Sequence, residues 1–83
     1  MTPKPLTEKE MRFLKLLLSE IQSDTFRFAP LRKAGFPEKT EEIFKSGSEW
    51  LDSQVSRKFQ ILRDKGWLKM EDGVYTIVAK PPN

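Results

Sequence analysis

The sequence predicts a small, mainly α-helical domain that closes with a β-hairpin, and three observations predict it. Apolar residues recur at helical spacing in two stretches, Met11-Leu14-Leu17-Leu18-Ile21 and Leu51-Val55-Phe59-Leu62. Near the end, two β-type runs, Trp67–Met70 and Val74–Val78, bracket the acidic turn Glu71-Asp72-Gly73. The chain's 83 residues suffice for one compact core and no more.

Taken in order, residues 1–6 read as a disordered lead-in, because Pro3 and Pro5 withhold backbone donors and favour extended chain. The domain proper is expected over residues 7–80, with 81–83 as a tail after Pro81. Thr7-Glu8-Lys9-Glu10 is a capping box that starts the first helix, with Leu6 and Met11 placed to staple it. Gln22, Ser23 and Asp24 end that helix. Thr25-Phe26-Arg27-Phe28 alternates polar and aromatic residues as a brief strand would, and Pro30 allows a turn.

The stretch from Pro30 to Gly47 carries the weakest pattern. It suggests one helical turn over Leu31–Ala34, stopped by Gly35, and another from Pro37 to Phe44 that ends near Gly47. Phe36, Ile43 and Phe44 are its expected core contacts. A long helix follows over about 51–65, since Leu51, Val55, Phe59 and Leu62 fall at steps of four, four and three. Asp52 or Ser48 would cap its start, Gly66 its end, and Arg63 and Lys65 suit the negative end of its dipole. The hairpin over 69–76 closes the domain.

Composition removes several classes of function. Cysteine and histidine are absent, so disulfides, thiolate nucleophiles, imidazole bases and nearly all transition-metal sites are out, and no cofactor is expected. Glu41-Glu42 and Glu71-Asp72 are the adjacent carboxylate pairs, and neither has a basic partner at a spacing that suggests catalysis. We therefore expect a binding protein and no enzyme. No apolar run approaches the ~18 residues of a membrane span, and Met1–Pro5 lacks the features of a secretory signal. A cytoplasmic, nucleoid-associated location is expected, or a nuclear one in a eukaryote.

Charge is distributed unevenly. The net charge is +3, yet residues 1–52 hold nine cationic and nine acidic side chains, whereas residues 53–83 hold six and three. Any polyanion-binding face thus belongs to the last third. The element order of helix, short strand, irregular helical segment, long helix and hairpin is that of a winged helix-turn-helix, a three-helix bundle with a hairpin wing. The junction Ile61-Leu62-Arg63-Asp64-Lys65-Gly66-Trp67-Leu68 strengthens this, because the glycine lets Leu68 return to the core beside Leu62.

Val55-Ser56-Arg57-Lys58-Phe59-Gln60-Ile61-Leu62-Arg63-Asp64-Lys65-Gly66, followed by Gly73-Val74-Tyr75, resembles the C-terminal winged-helix domain of Dam-replacing and Dpn-type methyl-directed restriction endonucleases. That family shows an aliphatic residue, three polar residues, Leu-Gln-x-Leu-Arg-Asp-x-Gly and a Gly-x-Tyr wing, and the likeness covers about a third of the chain. The resemblance implies a module of a restriction-modification system that reads adenine-methylated DNA while a separate nuclease domain cuts it. Phe59 stands where the family has leucine, and Ser56-Arg57-Lys58 replaces a more glutamine-rich run where bases would be read. The shared residues mostly build the fold, so DNA binding carries over better than methyl-adenine recognition.

The site can also be placed from helical geometry alone. With Leu51, Val55, Phe59 and Leu62 inward, Ser53, Arg57, Gln60 and Asp64 point outward at about 100° per residue, with Trp50 and Gln54 on one flank. Major-groove base contacts are then expected from Trp50, Ser53, Gln54, Arg57 and Gln60: Arg57 suits guanine, Gln54 or Gln60 suits adenine, and Trp50 a thymine or adenine methyl group. Lys58, Arg63, Lys65 and Lys69 are expected on phosphates. Trp67 reads as structural. Phe13 and Leu16 lie off the first helix's main stripe and mark a candidate interface with a second copy or with the nuclease domain of a longer protein, unless the middle segment wraps round and buries them. The competing function is a winged helix that binds protein or dimerises without binding DNA.

Overall fold

Residues 3–45 and 51–81 are described by the computed structural model. The chain runs α1 (Glu8–Glu20), β1 (Thr25–Phe26), α2 (Phe28–Lys33), α3 (Phe36–Lys39), α4 (Glu41–Phe44), α5 (Leu51–Asp64), β2 (Leu68–Glu71) and β3 (Val74–Ile77). It is a helical domain with one small antiparallel sheet, as the coarse reading of the sequence expects. Among the described residues no helix is long and apolar enough to cross a membrane.

Helix α1 starts where the capping box places it. The Glu10 amide donates to Thr7 Oγ1 at 3.2 Å, and the Thr7 amide donates to Glu10 Oε1 at 3.0 Å, which satisfies two otherwise orphaned donors. Its buried face is centred on Phe13, Leu14 and Leu17. Met11, Leu18 and Ile21, expected on the same core-facing stripe as Leu14 and Leu17, are half-buried instead.

The middle segment forms three short helices where the sequence suggests two turns. Phe28 opens α2 rather than prolonging the strand, and Gly35 turns the chain into α3 in the left-handed region at φ 85°, which glycine adopts without strain. Thr40 is fully buried between α3 and α4, and its hydroxyl donates to the Pro37 carbonyl at 2.6 Å. These helices close over α1, which is the alternative that the sequence leaves open for Phe13 and Leu16 in place of an interface. Phe13 is fully buried, its ring centroid 5.6 Å from Phe36, 5.8 Å from Phe44 and 5.4 Å from Phe59, so it offers nothing to an interface. Leu16 is half-buried and packs against the same core.

Helix α5 buries Leu51, Val55, Phe59 and Leu62, the four residues that the spacing selects. It stops in a Schellman motif: Gly66 sits at φ 88°, the Trp67 amide donates to the Leu62 carbonyl at 2.9 Å, and the Gly66 amide to that of Arg63 at 3.1 Å. Leu68 then returns to the core. The hairpin pairs Glu71 with Val74 across Asp72 (φ 52°) and Gly73 (φ 77°), the two positive φ values of a two-residue hairpin turn.

Strand β1 pairs with β3, giving the sheet order β1-β3-β2. Opposite Phe26 stands Tyr75, and the two rings stack with centroids 5.1 Å apart. Residues 3–6 are also tied down, contrary to the expected disordered lead-in. The Lys4 amide donates to the Lys65 carbonyl at 2.8 Å, and Trp67 Nε1 donates to the Lys4 carbonyl at 2.6 Å. Leu6 packs against the core, so this segment straps the end of α5. Trp67, 7% exposed, is structural, as the sequence reading has it.

Candidate nucleic-acid interface

With one side of α5 anchored, its other side is fixed by helical geometry. Ser53, Ser56, Arg57, Gln60 and Asp64 are all exposed, because they lie opposite the buried row. Among the described residues the side chains of Ser53 and Arg57 make no hydrogen bond or ion pair. Gln54 is half-buried on one flank. Trp50, expected to contact a base methyl, and Ser48, a candidate cap, lie outside the described residues.

The C-terminal half of that face is already engaged. Gln60 Nε2 donates to Asp64 Oδ1 at 2.9 Å, and Arg63 Nη1 donates to Gln60 Oε1 at 3.2 Å. These bonds are exposed and exchangeable, but they orient Gln60 along the helix rather than outward. The face therefore offers Ser53, Ser56 and Arg57 in its N-terminal half and a neutralised cluster beyond.

The cations expected on phosphates divide into different environments. Lys65 is the clearest correction: only a quarter of its side chain is exposed, and Nζ lies 2.6 Å from Glu10 Oε1. It ties α5 to α1 and is not available to a phosphate. Burial pushes the Glu10 carboxyl up, but hydrogen bonds from Lys65 and the Thr7 amide, with the charges of Lys65 and Lys58, outweigh it and hold Glu10 below its ordinary value of 4.5. Lys58 is half-buried with its ammonium 5.7 Å from the Phe44 ring centroid, a cation–π contact that leaves its tip at the rim of the face. Lys69 is exposed on β2 opposite Thr76.

The structure adds cations that the charge count passes over. Arg32 on α2 pairs with Asp52 in the first turn of α5, Nε to Oδ2 at 2.9 Å, which sets a guanidinium beside the exposed N-terminal half of the helix. Lys33 is exposed next to it. Arg27 lies against the hairpin turn, its Nη1 3.6 Å from where a Cβ on Gly73 would stand. No spacing rule reveals these placements, since each joins elements distant in sequence. Among the described residues, no three Asp or Glu side chains group as a metal ion would require.

Comparison of the chain with protein-family models, curated proteins and solved structures finds no match.

Proposed function

We propose that this chain is a winged-helix module that binds double-stranded DNA, with the outer face of α5 in the major groove and the β2–β3 hairpin along the backbone. One observation carries the reading: α5 is held by four buried residues on one side, while Ser53, Ser56 and Arg57 on the other are exposed. A helix presented in this way fits the major groove, where Arg57 would pair with a guanine edge and Ser53 with a base or phosphate. The element order supports the assignment, because β2 starts four residues after the C-terminal end of α5 and the hairpin follows that helix directly in the chain. Recognition of adenine methylation is the finer part of the proposal and rests on the family resemblance.

The test is fluorescence anisotropy with mixed-sequence duplexes and their adenine-methylated counterparts at two salt concentrations. Micromolar binding that weakens steeply with salt is expected from the modest charge. Arg57→Ala should weaken it by about tenfold or more, the worth of one good base contact. Binding indifferent to salt and to Arg57→Ala refutes the duplex reading, and equal affinity for both duplex sets removes only the methyl preference.

A protein-binding module is the second reading, favoured by one specific feature. Leu16 and Ile43, both half-buried, line a shallow groove between α1 and α4 rimmed by Arg12, Lys39 and Glu42. Salt-insensitive self-association in sedimentation experiments would favour it.

A further inference from the structure

Asp52 poses an electrostatic puzzle for a helix offered to a polyanion. It is a carboxylate in the first turn of α5, immediately before the exposed Ser53, where its charge would repel phosphates. Its ion pair with Arg32 is exposed, with 67% of the arginine side chain and 46% of the aspartate side chain accessible. A pair that open to solvent contributes little to folding, and what Asp52 adds to stability comes from its place in the first turn of α5, where a carboxylate suits the helix dipole.

The geometry of the pair suggests a different role. The approach that defines the pair is made by Nε, on the stem side of the guanidinium, and among the described residues neither Nη group donates a hydrogen bond. Arginine recognises phosphate through a rigid fork of donors, and its cost of binding falls when the fork is already oriented. Asp52 holds that fork at the edge of the face that carries Ser53 and Arg57. We infer that Asp52 is a positioning residue that orients Arg32 as a phosphate contact of the α5 interface. This rests on the duplex reading above and deepens it by naming a contact and the residue that sets it.

The inference makes a prediction opposite in sign to simple charge counting. Asp52→Asn removes a negative charge beside the duplex, so charge counting expects tighter binding. Positioning expects binding weakened by about threefold or more, because the arginine fork is released. Arg32→Ala should weaken binding and lower the slope of log affinity against log salt by about 0.9, the value for one phosphate. In the Arg32→Ala background nothing remains to be positioned, so there Asp52→Asn should tighten binding.

This reversal of sign is the decisive readout, measured by anisotropy on the full chain with thermal melts to confirm that each variant folds. Arg32→Lys, which keeps the charge without the fork, should keep the salt slope and lose only part of the affinity, and Arg32→Gln serves in place of the alanine variant if that variant melts early. Tightening by Asp52→Asn in both backgrounds would overturn the inference and make Asp52 a repulsive charge only. If Arg57→Ala weakens binding while Arg32→Ala does not, this inference fails and the duplex reading stands. If the unmodified chain shows no salt-dependent binding, both fall.

Discussion

Replacing Phe59 tests the anchoring on which the orientation of α5 depends. Its ring is fully buried and is surrounded by Phe13, Phe26, Phe28, Phe36 and Tyr75, with centroids between 4.9 and 6.5 Å away. Removing such a ring costs about 3–5 kcal/mol in a core that relaxes only partly. Each well-placed aromatic pair adds roughly 0.5–1.5 kcal/mol beyond its buried area, so Phe59→Ala belongs at the upper end, about 5 kcal/mol. A domain of this size has a total stability of only about 4–12 kcal/mol. The alanine variant should therefore lose at least about 40% of its stability, and be unfolded at 25 °C if the total lies at the low end of that range. Phe59→Leu, which keeps most of the volume, should lose about 1–2 kcal/mol. Urea unfolding followed by tryptophan fluorescence, to which the buried Trp67 contributes, measures both. With a slope of about 1 kcal/mol per molar urea, the leucine variant's midpoint should fall by about 1–2 M. A Phe59→Ala protein that keeps a cooperative transition within about 1 kcal/mol of the original would refute the reasoning, since α5 would not then be fixed by this side.

Two further expectations concern the ends of helices. Glu10→Gln should cost about 1–3 kcal/mol at neutral pH, because Lys65 is left partly buried without its partner. The pH dependence has a definite sign. A carboxyl held below its ordinary value stabilises the fold above the unfolded pKa, and that contribution is lost as pH falls through the folded pKa. The difference in melting temperature between the two proteins should thus be full at neutral pH and narrow progressively below pH 4.5, and a constant difference would mean that charge has no part in it. Gly66→Ala should cost about 1–2 kcal/mol by urea unfolding, because φ of 88° is strained for a residue with a Cβ. The nearest atom to that Cβ would be Pro3 Cα at an ordinary 3.6 Å, so the cost is conformational rather than steric, and Gly66→Asn should recover part of it.

What the sequence revealed and what it hid separate along one physical line. The Thr7–Glu10 capping box, the buried row of α5, the Gly66 stop and the Asp72-Gly73 turn all obey rules that act within a few residues, and each stands where those rules place it. Phe13 is open from sequence between an interface and the core, because the deciding contacts come from Phe36, Phe44 and Phe59, which no local pattern brings near. Their packing turns the buried face of α1 towards Phe13 and leaves Met11 and Leu18 at its margin. Lys65 failed for the same reason: its position in the last turn suits the dipole, but Glu10 lies 55 residues away in the chain. The pairing of β1 with β3 and the docking of Lys4 on Trp67 are equally nonlocal. The site was half legible, since helical periodicity tells which residues of α5 face outward but not which of their charges are already engaged.

That distinction sets the strength expected of the proposed interface. Counted from sequence, Lys58, Arg63, Lys65 and Lys69 would meet phosphates, yet Lys65 is bound to Glu10, Arg63 donates to Gln60 and Lys58 lies over Phe44. Arg32, Lys33, Arg57 and Lys69 are the exposed cations on or beside the proposed face. With Arg57 on a base, about three phosphate contacts give a slope near −2.7 in log affinity against log salt, or a loss of about fortyfold between 50 and 200 mM. Two copies on one duplex would double the contacts and bring the slope to about −5.4. The same salt titration therefore measures both the presence of the interface and its multiplicity. A slope near −2.7 assigns the duplex to a single α5, whereas one near −5.4 requires a second copy, and the Leu16–Ile43 groove is then the first surface at which to look for their contact.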